Sequence, residues 1–347
     1  MILVRRIIIV GISILILGMS FAQKRTTVYW FGYFKPAYQL ILSEDGDNSN
    51  QFRLILATLG FVADINEYSS VFFFAYFNSN NISDIDNELI LYGQDSLSLQ
   101  TDKEYEFVAS LLDAQIWFTP VKNLRFVAGQ YVNPFAYENM KSSSKIDFIN
   151  RGYVVRNSPA YRDIGIYADY QINPVRLYAG VSNGSGMNVV DNNNYKNILG
   201  RLEITPIDEI NFGGAISVGK DNSIDDLAEN QNFYSAFANC NIGGLQISTE
   251  ASIQDYLDET SSALYAYALY EIPIQKKLLY NIIPAVRYDF HNPAGDNNKM
   301  ERYTFGLTFQ FDQHKWLSHL RLNYELTQGE SSNPDDMFTV EFQMRFD

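Results

Sequence analysis

From Thr27 to the C-terminus, apolar and polar residues change places at every second position. In the final run, Phe338, Val340, Phe342, Met344 and Phe346 share one side and Thr339, Glu341, Gln343 and Arg345 the other. The run before it sets Leu320, Leu322, Tyr324 and Leu326 against Arg321, Asn323, Glu325 and Thr327. An earlier one sets Tyr303, Phe305, Leu307 and Phe309 against Arg302, Thr304, Thr308 and Gln310. A period of two places successive side chains on opposite faces of a strand. These runs span about ten residues or more, where soluble strands average nearer five or six. Their polar face carries Arg, Glu and Asp at mid-strand. A soluble sandwich or lipocalin-like barrel would turn the apolar face inward and leave those charges on the surface. Length and mid-strand charge together fit a transmembrane antiparallel β-barrel, all-β, with lipid outside and a polar lumen. Such a sheet has to close, because an open edge cannot face lipid.

The connections alternate too. Short turns such as "TPVKN", "TPIDE" and "DQHKW" take turns with longer, polar, acidic stretches at 43–50, 78–103, 183–194, 220–230, 254–260, 292–299 and 329–335. That is the pattern of short turns on one side of a membrane and long loops on the other. Counting between them gives sixteen strands. They start near Thr27, Gln51, Tyr68, Glu104, Asn123, Tyr161, Val175, Lys196, Glu209, Gln231, Leu245, Ser261, Leu279, Met300, Leu317 and Asp336. Val71–Phe77 and Phe233–Cys240 are apolar on both faces, so their orientation stays open.

The N-terminus reads differently. Arg5 and Arg6 precede an apolar core, Ile7 to Leu17, too short to span a bilayer, and Ser20-Phe21-Ala22 fits a small-x-small cleavage site. Residues 1–22 are expected to be a signal peptide and 23–347 the barrel. The net charge of −14 excludes nucleic acid as a partner. A single cysteine, Cys240, excludes a disulfide framework and a cysteine metal site. No metal, cofactor or catalytic residue is expected.

One stretch breaks the alternation, "GQYVNPFAYENMKSSSKIDFINRGYVV" from Gly129 to Val155. Pro134 and the Ser142–Ser144 turn interrupt a ladder. Between Gly129 and Asp163, Lys141, Lys145, Arg151, Arg156 and Arg162 outnumber Glu138, Asp147 and Asp163, in a protein that is otherwise acidic. With "LRF" before it and "YRDIG" after it, the stretch resembles the phosphate-selective porin O and P family. The resemblance rests on Gly129-Gln130, Pro134-Phe135, Glu138, the serine turn, Asp147-Phe148-Ile149 and Arg151. It continues into "YAGVSNGSGMNVVDNNNYKNILGRLEITP", and it is dense from about Leu124 to Pro206. It implies a trimeric, sixteen-stranded outer-membrane porin surrounded by lipid. Its third extracellular loop, here 129–160, would fold inward and narrow a water-filled channel for small hydrophilic solutes or anions. The family's anion-selective members pass phosphate along an arginine ladder and a lysine cluster. The lysine cluster has no residue-by-residue match here.

Selectivity arises from side chains at the narrow part of a pore rather than from net charge. The expected constriction residues are Glu138, Lys141, Lys145, Asp147, Arg151, Arg156 and Arg162. Alternation adds Arg125, Arg176, Arg201, Arg287, Arg302, Arg321 and Arg345 on the lumen wall. Facing them are Asp113, Asp169, Glu203, Glu250, Asp289, Glu325 and Glu341. The expectation is a weak anion preference. A closed structural or adhesive barrel is the alternative. A barrel enzyme is disfavoured because the three histidines, His291, His314 and His319, have no triad-like neighbours, and the latter two fall at a turn where solvation is the ordinary state. A TonB-dependent transporter would need a plug and about 22 strands.

Overall fold

The computed structural model describes residues 26–43, 46–81, 97–98, 105–158, 161–191, 193–224, 227–256, 259–294, 299–329 and 335–347. The expected signal peptide and much of the acidic 78–103 stretch lie outside them. Sixteen strands follow one another. The first eight are β1 Thr27–Leu42, β2 Ser49–Asp64, β3 Ser69–Asn81, β4 Tyr105–Val121, β5 Leu124–Val132, β6 Arg162–Ile172, β7 Val175–Ser182 and β8 Asn197–Ile207. The second eight are β9 Ile210–Ile224, β10 Leu227–Ile242, β11 Leu245–Tyr256, β12 Glu259–Tyr270, β13 Leu279–Asn292, β14 Met300–Gln310, β15 Ser318–Gly329 and β16 Asp336–Phe346. After a break at Glu271, β12 resumes as Ile272–Lys276, and a two-residue stretch, Leu97–Ser98, pairs with the far end of β4. Each strand pairs antiparallel with its chain neighbours. β1 closes the sheet on β16, with Gly32 opposite Phe346 and Leu42 opposite Asp336.

The two faces of the sheet invert the usual order of a protein in water. Met344 is 54% exposed and Phe305 51%, while Arg321 is 1% exposed and Glu341 and Asp289 0%. A continuous apolar outer face is stable only against lipid, and a polar inner face only where its groups find partners. Most strand starts fall within two residues of the positions read from sequence.

Two of the stretches expected to be long loops, 220–230 and 254–260, are mostly sheet. The β9–β10 hairpin pairs out to Asp221 with Glu229, and β11–β12 to Tyr256 with Glu259. Apolar alternation ends where lipid ends, but backbone pairing continues through polar residues, so the hairpins outlast the pattern. At the opposite side, Gly243 and Gly244 join β10 to β11 with both φ angles positive (57° and 87°). This is the geometry that matches the twist of a tight hairpin and that glycine adopts at little cost.

Candidate functional site: the segment between β5 and β6

The ladder of β5 persists to Val132, a little beyond the point where alternation stops. The Asn133 N–H then donates to the Tyr161 carbonyl at 3.0 Å, so the segment leaves and returns at one place. Pro134 has no N–H to extend the pairing. Two single helical turns shape the excursion. In Ser143–Lys145, the Ser142 hydroxyl accepts from the Ser144 N–H; the other turn is Tyr153–Arg156. Phe135, Ala136, Phe148, Tyr153 and Val154 are buried in one apolar cluster with Phe233, Tyr265, Leu269 and Ile283 of the strands.

Around that cluster the segment's backbone is held by inward-facing side chains of many strands. Lys35 (β1) donates to the Ser143 carbonyl at 2.7 Å and Ser235 (β10) to that of Phe135 at 2.6 Å. Glu250 (β11) accepts from the N–H groups of Tyr137 and Glu138. Arg287 (β13) donates to the Asn150 carbonyl at 2.8 Å and Arg302 (β14) to the Arg151 carbonyl at 2.6 Å. Arg321 (β15) donates to the carbonyls of Ile146 and Phe148, and Gln343 (β16) to that of Ser144 at 3.0 Å. A segment without a ladder of its own has many backbone groups to satisfy, and here the sheet supplies the partners.

The expected constriction cations are largely spent on contacts. Arg151 donates to the carbonyls of Glu138 and Lys141. Lys141 pairs with Asp147 at 3.6 Å and lies 4.8 Å from the Tyr137 ring. Arg162, buried, forms a two-point pair with Asp113 at 3.2 and 3.3 Å. Glu138 accepts from the Gly152 N–H at 2.7 Å. Lys145 is exposed. The Arg156 side chain lies outside the described residues.

Asp147 is the most connected carboxylate of the segment. It accepts from Tyr267 at 2.8 Å and lies 3.3 Å from Lys315 of the short turn between β14 and β15. Burial alone would push its pKa up, but Lys141 and Lys315 outweigh it and hold the pKa at about 2.

The wall arginines divide into two groups. Arg201, Arg287, Arg302 and Arg321 are buried beneath the segment, against Glu203, Asp289, Glu325 and Glu341. They carry the segment, in place of the open facing rows expected from sequence. Arg125, Arg176 and Arg345 lie toward the short-turn end. There Arg125 is exposed over the Trp117 ring at 4.8 Å, Arg176 pairs with Asp169 at 2.8 Å, and Arg345 with Asp347 at 2.6 Å.

One expectation is overturned: His319 is not solvated but 1% exposed, facing inward from the start of β15 beside Trp316. His314 is exposed. Sequence reasoning also missed Lys35, Ser235, Tyr267, Lys315 and Gln343. Alternation placed Gln343 on a polar face, but nothing in the chain linked it to Ser144, 199 positions away.

Residues 46–338 match the family described as putative beta-barrel porin-2, OmpL-like. The resemblance to phosphate-selective porins thus holds at the level of an outer-membrane porin, and the matching family is this one. Among curated proteins, none matches the chain. Solved structures share the fold. An anion-selective porin from Comamonas acidovorans superposes with TM-score 0.64 at 11% identity, covering 93% of this chain and 100% of that one. OmpF of Salmonella typhi, in complex with daunomycin, gives 0.64 at 12%, covering 92% and 98%. The trimer form of OmpT, an outer-membrane protein of Vibrio cholerae, gives 0.61 at 11%, covering 93% and 100%.

Proposed function

We propose, from the premise that this chain belongs to the OmpL-like β-barrel porin family, that it is a passive diffusion channel of the Gram-negative outer membrane whose constriction is the segment 129–160. The observation that carries this reading is the set of side chains holding the segment. They come from β1, β10, β11 and β13 to β16, and they lie on the face opposite the lipid band. In this reading the segment occupies the side of the barrel interior next to those strands, and the passage runs beside it. Small hydrophilic solutes would cross there.

The charge selectivity proposed is a weak preference for small anions, phosphate among them, carried by the exposed cations Lys145 and Arg125. The ion pairing of Lys141 and Arg162 argues against a dedicated phosphate cluster. Residues 1–22 act as a cleaved export signal in this reading. The functional unit is a homotrimer, as the likeness to a trimeric barrel supports. None of the roles requires a catalytic group.

Planar-bilayer recording of the purified protein tests the reading. Deleting Asn139–Ser144 should raise conductance and flatten selectivity, and unchanged conductance would place the segment outside the pore. Reversal potentials in a KCl gradient test the anion preference, which a clear cation preference would overturn. Unheated gel mobility and light scattering test the trimer.

A further inference from the structure

The inner wall is polar on most strands, but not near the short-turn ends of β1, β3 and β4. There Phe31, Phe72 and Trp117 point inward and stack in series. Their ring centroids are 5.5 Å apart for Phe31–Phe72 and 5.2 Å for Phe72–Trp117, with interplanar angles of 18° and 16°. All three rings are half-buried. Gly60 between them makes the stack possible, because a Cβ there would lie 2.5 Å from the Phe31 ring. Above the strip, Tyr33 and Phe74 are closed over by Met187 in one buried cluster. Below and beside it, hydrogen-bonding groups continue the wall. The Trp117 indole donates to Gln115 at 2.7 Å, the Arg125 guanidinium lies on the Trp117 ring, and the Arg176–Asp169 pair follows. From Arg176 an open-sided cavity of about 630 Å³ extends along Glu203 and Asp208.

An aromatic row costs hydration in a water-filled pore unless something covers it in passage. The chemistry of its surroundings narrows what that is. A hydrocarbon would strip water from Gln115, Arg125 and Asp169 without replacing the hydrogen bonds. A small inorganic anion would use the arginines and leave the rings idle. A pyranose sugar meets both demands: one face of the ring is a sheet of C–H groups that packs on aromatic faces, and its rim of hydroxyls pairs with amides, guanidinium and carboxylate groups.

We propose that Phe31, Phe72 and Trp117 form a binding track for pyranose sugars at the short-turn end of the lumen, with Gln115, Arg125 and Asp169 as hydroxyl partners. As a step in permeation this rests on the channel reading; as a binding site it does not.

The test uses the full chain and maltohexaose. In planar bilayers, KCl conductance reports the channel. Maltohexaose should block that current in a concentration-dependent way. Trp117→Ala and Phe72→Ala should each raise the half-blocking concentration about tenfold, as loss of one stacked ring does, with KCl conductance not reduced. Trp117→Phe should restore most of the block. Equilibrium dialysis of maltohexaose against the protein in detergent reads the same affinities even in a barrel that does not conduct. Absence of both binding and block in the folded wild type overturns the track, and so does equal affinity in the wild type and in both alanine variants. Should the alanine variants fail to show heat-modifiable gel mobility, Trp117→Leu and Phe72→Leu carry the comparison.

Discussion

The side-chain amide of Gln343 donates at 3.0 Å to the Ser144 carbonyl, 199 positions earlier in the chain, and at 2.9 Å to the carbonyl of Trp316. One amide thus ties the β5–β6 segment to β16 and to the short turn before β15. Replacing it with Leu keeps the volume and leaves two carbonyls without a partner. Gln343→Leu should therefore cost about 1–3 kcal/mol and speed trypsin cleavage at exposed Lys145. Unfolding titrations and a digestion time course measure both. An unchanged cleavage rate would show that this contact does not restrain the segment.

Arg321 is the most demanding anchor. It is fully buried, pairs with Glu341 and satisfies two carbonyls of the segment. Arg321→Met should destabilise the barrel by about 3–5 kcal/mol, because it strands a buried carboxylate. Lys35, 3.5 Å from the same carboxylate, softens the loss. Adding Glu341→Gln should recover the electrostatic part only, since the Ile146 and Phe148 carbonyls stay unpaired. A double-mutant cycle on unfolding free energies separates the two contributions.

The Asp147 clasp sets an acid limit. Its carboxyl titrates at about 2 in the folded protein, below the ordinary carboxylate range. A depressed pKa contributes stability above the unfolded value, and that contribution is lost as pH falls through the folded one. Stability should hold from pH 7 to about pH 4 where this clasp is concerned, fall as pH drops below the ordinary carboxylate range, and have lost the clasp's contribution by about pH 2. Asp147→Asn should lower stability at neutral pH and shrink the loss on acidification. Thermal midpoints across the pH range for both proteins check it.

Gly60 is predicted to be intolerant. Its would-be Cβ meets Phe31 at 2.5 Å and the Phe73 carbonyl oxygen at 2.7 Å. Gly60→Ala should cost about 1–3 kcal/mol by overpacking and shift the Trp117 emission as the stack is forced apart. Wild-type stability and an unshifted spectrum would mean that the stack has slack.

The strands were legible in the chain because lipid and lumen impose opposite solvents on alternate residues. Phe338 to Phe346 could be assigned a face residue by residue. The β5–β6 segment was legible as a break in that rule, with Pro134 as its cause. Its partners were not legible. Arg321 reads as one more polar position, and only the closed sheet brings it to Ile146 and Phe148. Nor was the aromatic strip: "VFFFAYF" is apolar on both faces, so alternation could not say that Phe72 and Phe74 turn inward while Phe73 turns out.

Lys35 has a consequence for assembly. It stands on the first strand, yet it touches Ser143 of the segment and Glu341 of the last strand. Most of the segment's other partners lie on strands β10 to β16, which are synthesised after it. The segment's last anchors, Arg321 and Gln343, come with the final hairpin, whose closure on β1 also brings Glu341 to Lys35. Sealing the wall and seating the segment then become a single late event, dominated by contacts of very large sequence separation and correspondingly slow. A chain truncated before β16 would lose both at once.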